Sequence, residues 1–478
     1  MQAWLYRFRR GTLSPLALTG VLLPLSMALV VLAAEPRAAI TLQEPQMRVL
    51  VAEDSQLLLR ADADEPLRVR GLGHQERRLK RLKVQLRGGR LHLAGGGVAT
   101  SLRISSDDPR GIWLGTRRYR GDLRLLVRDG RILAINQLGI ETYLSSVVGS
   151  EMPSKWPLAA LQAQAVAART YALRQRGSKG DFDVRATVSS QVYKGIESET
   201  PSTLEAVATT RSLVLVHGGH LINAVFHSSS GGATEPSGEV WRTQHPYLVS
   251  VADHDDHSPV HRWNQRFDAL ELRRRFQETG GVNQLSVLAT SSTGRVRSAR
   301  IQGPRGSLVL TGRELRQRLG LKSTMVQFSM LQGAGASDGS EPRMGPDRAE
   351  PAPQLIGLWR DSVSGLRVSP SPSPAPVQPL RVGSLAPPPT PPPLPELPTS
   401  APARATAPIE APVLEARGRG FGHGVGMSQW GAHGLALKGA DFREILRHYY
   451  RGALIRPYRP GDDPSVAASP PSGPVWRS

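Results

Sequence analysis

The chain has 478 residues, room for two or three domains, with 39% hydrophobic residues, 39 prolines and no cysteine. The lack of cysteine excludes disulfides, thiolate nucleophiles and thiolate metal sites, and the prolines imply a sizeable unstructured share. A net charge of +20 favours an anionic partner, whereas 5% aromatic residues offer little for base stacking and weigh against nucleic acid.

At the N-terminus Arg7, Arg9 and Arg10 precede an apolar run from Leu13 to Ala34. Positive residues, an apolar stretch and a small-residue exit are the layout of a secretory signal. Residues 1–34 are therefore expected to be a signal peptide, or a membrane anchor if retained, although Pro15, Gly20 and Pro24 interrupt the run. Either way the remainder should be exported, to the periplasm, the cell envelope or beyond.

Residues 39–136 read as a basic β-rich region. "MRVLVAE", "LKVQLRGGRLHLAGG" and "LRLLVRDGRILAI" alternate apolar and polar residues around Gly-Gly and Asp-Gly turns, the pattern of β-hairpins. The apolar run "SSVVGSE" reads as strand-like and ends at Glu151, beside Met152 and Trp156. A carboxylate in such surroundings should have a raised pKa, which suits a general acid; the alternative is assistance to the start of the next helix.

That helix is predicted over Pro157 to Arg176, with proline at its first position and Gly177 past its end. Leu158, Leu161, Ala165 and Ala172 share one stripe, and Gln162 and Arg169 fall near its middle. An arginine on an apolar face needs a partner or a cleft, and the cleft is the reading preferred here over a structural ion pair.

Further on, "LVLVHGGHLINAVFHSSSGG" reads as a hairpin entering a Ser/Gly loop. His227, Ser228, Ser229 and Ser230 suggest a nucleophile and base. Adjacent residues rarely meet productively, however, and a polar loop bonding backbone or sugar is the better reading. In "DHDDHSPVHRW" the Asp and His residues could hold a hard metal, but Ser258-Pro259 forbids the helix that would align His257 with His261. After a β/α mix ending in "LTGRELRQRLGLKS", residues 331–412 turn proline-rich and should be an extended, disordered insert. Order returns with "GRGFGHGVGMSQWGAHG", seven of whose seventeen residues are glycine. It lacks the lysine-serine of a phosphate loop and any acid between His423 and His433, so it reads as a tightly packed cleft wall. Asp441 can cap a short helix whose buried side is Phe442, Ile445, Leu446 and Tyr449.

Taken together, "YLSSVVGSEMPSKWPLAALQAQAVAARTYAL", "QVYKGIESET", "FHSSSGGATE", "VWRTQHPYLVSV", "DHSPVHRW", "LTGRELRQRLGLKST" and the glycine-rich block with "LALKGADFREILRHYYRG" resemble the SpoIID/LytB family of stage II sporulation protein D and amidase enhancers. The resemblance covers Leu138 to Ser323 and Val413 to Leu454. It implies an α+β fold: a SpoIID-like mixed α/β catalytic domain in two parts, 137–330 and 413–457. The β-rich region precedes it, the proline-rich insert interrupts it, and a disordered tail at 458–478 follows. It further implies a peptidoglycan lytic transglycosylase that cleaves MurNAc-GlcNAc bonds of denuded glycan strands and leaves 1,6-anhydro-MurNAc ends; the alternative is a non-catalytic wall-binding amidase enhancer. By the same resemblance Glu151 is the catalytic acid/base and Arg169 a catalytic-site arginine that binds substrate. The substrate-binding candidates are Gln162, Tyr171, His227, Ser228, Ser229, His423, Gln429 and Trp430. The implied partners are peptidoglycan glycan strands and a cell-wall amidase, with no cofactor. Three departures stand out. Arg185, Ser189 and Ser190 replace a Cys-His-Cys set that holds zinc in some members, so no metal is expected. Phe226 replaces a tyrosine, and Gln162 sits where a basic residue is frequent.

Overall fold

The computed structural model describes residues 44–331 and 413–462, except 63–64, 74–75, 178–179 and 189. The signal or anchor expected at 1–34, the proline-rich insert and most of the tail lie outside the described residues. Among the described residues no helix is long and apolar enough to cross a membrane. The architecture is α+β.

Alternation in the first third is converted into two antiparallel-rich sheets, of seven and six strands. The strands Asp122–Arg128 and Arg131–Gly139 pair with Arg128 opposite Arg131, and Asp129 and Gly130 turn the chain with φ of 48° and 68°. That is the two-residue hairpin turn that the Asp-Gly dipeptide favours. In the hairpin Arg81–Arg87 and Arg90–Leu93, Leu82, Val84, Leu91 and Leu93 point inward while Arg81, Lys83 and Arg90 remain exposed. Met47, Leu59, Leu102 and Leu125, drawn from both sheets, belong to one core that continues into the helices. The β-rich region is thus not separate. The boundary expected at 136/137 falls inside the strand Arg131–Gly139, and the strand Gln46–Asp54 pairs with both that strand and Val184–Arg185.

The apolar run before Glu151 is not a strand. It forms helix α1 (Ile140–Glu151), with Ile140, Tyr143, Leu144, Val147 and Val148 buried at helical spacing. Helix α2 (Leu158–Gln175) follows with Pro157 at its N-cap and Gly177 in the left-handed region past its end. Its run of alanines is buried on several sides rather than along one stripe, because small side chains let α1, α3 (Pro201–Thr209) and the C-terminal helices approach closely. Past α4 (Ser237–Val240), a second core gathers α5 (Ala269–Arg275), α6 (Gly312–Leu319) and the strands around Phe267, Ile301 and Leu414. Last come α7 (Gln429–Leu437) and α8 (Phe442–Tyr449). Asp441 caps α8 by accepting from the amides of Arg443 and Glu444, and Phe442, Ile445, Leu446 and Tyr449 are its buried side.

The two halves of the chain are stitched by backbone pairing. The strands Val326–Leu331 and Val413–Arg419 are antiparallel with Leu331 opposite Val413, so the intervening segment leaves and returns at one point. Phe226–His227 runs parallel to Met427–Ser428, and Leu213–His217 pairs with Leu454–Pro457. The tail begins later than expected: Tyr458 donates to the Ser212 carbonyl, and Asp462 pairs with Arg456 at 2.6 Å.

Arg169 corrects the cleft reading. It is 1% exposed, and its guanidinium makes a bidentate pair with Glu141, Nε to Oε1 at 3.0 Å and Nη2 to Oε2 at 2.6 Å. It also donates to the Leu213 carbonyl at 3.1 Å, and Glu141 accepts from the Ser212 amide. The arginine therefore ties α1, α2 and the entry to the strand at Leu213, and the structural ion pair takes the place of the substrate contact. Removing one member of such a pair strands the other. Arg169→Ala is expected to lower stability by about 3–5 kcal/mol in denaturant unfolding.

Candidate active site

Glu151 occupies the C-terminal end of α1, continuing its buried stripe. The "QVY" block aims a donor at it. Gln191 accepts from the Tyr143 hydroxyl and donates to the Ala168 carbonyl, and the Tyr193 hydroxyl donates to Asn136 at 2.7 Å. With both neighbours pinned, the Val192 amide donates to Glu151 Oε1 at 2.7 Å. From across the chain, Gln429 donates to Oε2 over a long 3.4 Å. Gln429 is the first residue of α7, whose start is fixed by the Ser428 hydroxyl accepting from the Gly431 amide at 3.1 Å.

Burial raises the Glu151 carboxyl from its ordinary 4.5 to about 7, against the opposing pull of the Val192 amide, the Gln429 amide and the Lys194 charge. Glu151 therefore does not help the next helix to start. It is a largely enclosed acid that still borders open space.

That space is a cavity of about 490 Å³. Of the residues expected at the site, Glu151, Tyr171, His227, Ser228, His423 and Gln429 line it. Both histidines are neutral near pH 7. Burial pushes His227 well below its ordinary value, and burial with the Arg316 and Arg295 charges takes His423 to about 4. In that form His423 donates from Nε2 to the Phe226 carbonyl and accepts the Val425 amide at Nδ1. His227 donates from Nδ1 to the Val425 carbonyl and accepts at Nε2 from the Ser230 hydroxyl at 2.9 Å. Histidine and serine do meet here, contrary to the expectation for neighbours, but Ser230 is fully buried beneath the loop and has no route to a substrate.

The other expected residues lie elsewhere. Gln162 donates to Thr209 Oγ1 on α3 at 2.9 Å. Ser229 is fully buried and bonded to Asp255. Trp430 packs edge-on against Trp156 with ring centres 4.7 Å apart, beside His257 and His433. Arg169 is held by Glu141, as above. Among the departures, Phe226 and Ser190 line the cavity, Arg185 pairs with Glu53, and Ser189 lies outside the described residues.

Two of the three acids of "DHDDH", Asp253 and Asp255, serve the Ser/Gly loop. Asp255 accepts from the amides of Gly231 and Gly232 at 2.7 and 3.1 Å and from His261 at 3.1 Å; Asp253 accepts from the Tyr449 hydroxyl. His257 instead faces His433 at 2.7 Å, so His257 and His261 point to different partners. Among the described residues no group of three or more His, Asp or Glu could hold a metal ion.

Among the lining residues that sequence reasoning missed are Trp241, Arg313 and Arg316. Trp241 is 37% exposed and lies 5.4 Å from the His423 ring. An indole left open in a polar cavity is a face on which a sugar ring can stack. The two arginines, three apart on α6, were visible in sequence, but their shared orientation was not.

Residues 128–217, which carry Glu151, match the SpoIID family model, described as stage II sporulation protein. The chain is 29% identical over 318 residues to the amidase enhancer of Bacillus subtilis, covering 66% of this chain and 40% of that protein's length. It is 25% identical over 342 residues to stage II sporulation protein D of the same organism, covering 67% and 76% of the two chains. An uncharacterized protein of Brachyspira hyodysenteriae is 26% identical over 355 residues, covering 73% and 75%. Over residues 128–217 the chain thus matches the SpoIID family, and stage II sporulation protein D and an amidase enhancer are among the proteins it resembles.

Proposed function

We propose that this protein is an exported lytic transglycosylase that cleaves MurNAc-GlcNAc bonds of denuded peptidoglycan strands. The observation that carries this reading is Glu151, the sole carboxylate lining the cavity among the described residues, with a pKa near 7. A carboxyl so poised can give its proton to the glycosidic oxygen and, as carboxylate, take one from the C6 hydroxyl. That hydroxyl then attacks C1 to close the 1,6-anhydro ring. The proton count on Glu151 is restored, and no second carboxylate is needed to activate water. Gln429 and the Val192 amide hold the carboxyl, Trp241 and Tyr171 offer faces to sugar rings, and His227 and His423 act as neutral polar wall.

A second reading is a non-catalytic wall-binding module that enhances an amidase. It is favoured by the similarity to a protein named amidase enhancer, and its partner would be a cell-wall amidase.

Incubating the full chain with denuded glycan and examining the products by mass spectrometry separates the two. The wild type should give anhydro-muramic ends, and Glu151→Gln should reduce their rate of formation about 100-fold or more. Absence of product from folded wild type would sink the catalytic reading and leave the enhancer. The pH dependence has a definite sign. Because the acid must be protonated first, kcat/KM should fall about tenfold per pH unit above about 7. The folded state also holds a proton that the unfolded chain releases near 4.5. The Glu151 contribution to stability should therefore decline between pH 4.5 and 7 by up to about 3 kcal/mol and level off above, while the lowered His227 and His423 contribute in the opposite sense. The stability difference between wild type and Glu151→Gln in denaturant titrations should carry that decline.

A further inference from the structure

We propose that Arg313 and Arg316 form a carboxylate-binding subsite in the Glu151 cavity, one that takes the free lactyl carboxylate of a muramic acid residue. The inference rests on the glycan reading above and adds the group by which the strand is recognised. Both arginines are on α6, one turn apart, and both line the cavity with Glu151, Trp241 and His423.

Neither has a carboxylate partner among the described residues. That sets them apart from their neighbours: Arg318 on the same helix pairs with Glu278 at 2.8 Å, Arg295 with Glu235 at 3.2 Å and Arg297 with Glu239 at 3.0 Å. Arg316 donates from Nε to the Leu321 carbonyl at 3.2 Å, which fixes its side chain but neutralises no charge. Enclosure and the like charges of Arg295 and Arg313 bring its pKa down to about 10, so this cation is held in place at a cost that an anion would relieve. A planar guanidinium matches a carboxylate in two parallel hydrogen bonds. A strand stripped of its peptides exposes one such carboxylate on every muramic acid, whereas a peptide-bearing strand has that carboxyl in amide linkage.

The test uses the full chain carrying Glu151→Gln, so that strands bind without being cut. Affinity is measured for denuded strands and for the same strands with every carboxyl converted to a neutral amide. The denuded strand should bind at least about tenfold tighter. Arg313→Gln, an exposed change that leaves the helix intact, should shrink that difference, and adding Arg316→Gln should erase it with the thermal unfolding transition retained. Equal affinity for the two strands, or a preference that survives in the folded double variant, overturns the subsite. Cleavage by the wild type keeps the two ideas apart. Equal kcat/KM on both strands overturns the subsite and leaves the transglycosylase standing. No cleavage of either sinks the transglycosylase, and the binding comparison still decides the subsite.

Discussion

Val225 to Gly231 and Gly420 to Met427 lie against each other at distances that leave no space for side chains between them. A Cβ placed on Gly420, at φ 68°, would come within 2.6 Å of the Ser229 carbonyl oxygen. One on Gly426, at φ 72°, would strike the Val225 carbonyl. Only glycine permits both the backbone angles and the approach. Through this contact the Ser229 and Phe421 backbones bond to each other, Phe226–His227 pairs with Met427–Ser428, and α7 begins where Gln429 can reach Glu151. The Ser/Gly loop is tensioned from beneath by Asp255, which collects two amides and a hydroxyl. This part of the cavity wall is thus set by close backbone approach.

Helix α1 carries two enclosed glutamates with different partners. Glu141, in its first turn, receives Arg169 and the Ser212 amide. Glu151, ten residues on and so about 15 Å along the axis, receives one amide, a long contact from Gln429 and a weaker influence from Lys194. Desolvation wins there, and a proton makes up the difference. An arginine paired with Glu151 would have held the carboxyl ionised and unable to act as an acid. Its commitment to Glu141 removes that conflict, and the same residue that stiffens the fold leaves the acid free.

How much of this was legible in the sequence follows from the range of the interactions. Hairpins with Asp-Gly turns, the long alanine-rich helix and the Asp441 cap are set by local pattern, and each is where the residues placed it. The run ending at Glu151 was misread because a continuous apolar stretch fits either strand or helix. The spacing Ile140, Tyr143, Leu144, Val147, Val148 held the answer, being helical throughout. For Arg169 the helical geometry rightly signalled a buried cation in need of a partner, yet it could not choose between a cleft and Glu141. Ser229 and Trp430 sit in the right segments but face away from the cavity, a matter of one residue's rotation. Trp241 and the α6 arginines come together only through tertiary packing of the second core, and nothing near them in sequence announces it.

Charge is graded along the cavity. The guanidiniums of Arg316 and Arg295 bear on His423, which they help to keep neutral, while the cation that bears on Glu151 is Lys194. A cavity lined by two arginines can still hold a raised carboxyl, because no arginine is among the groups that perturb Glu151. Were His423 protonated, the positive potential would extend toward Glu151 and favour its ionised form. Its Nε2–H is spent on the Phe226 carbonyl and its Nδ1 on the Val425 amide, so the backbone that closes the wall also fixes the neutral tautomer. The glycine-rich approach thus sets the electrostatics of the cavity along with its shape.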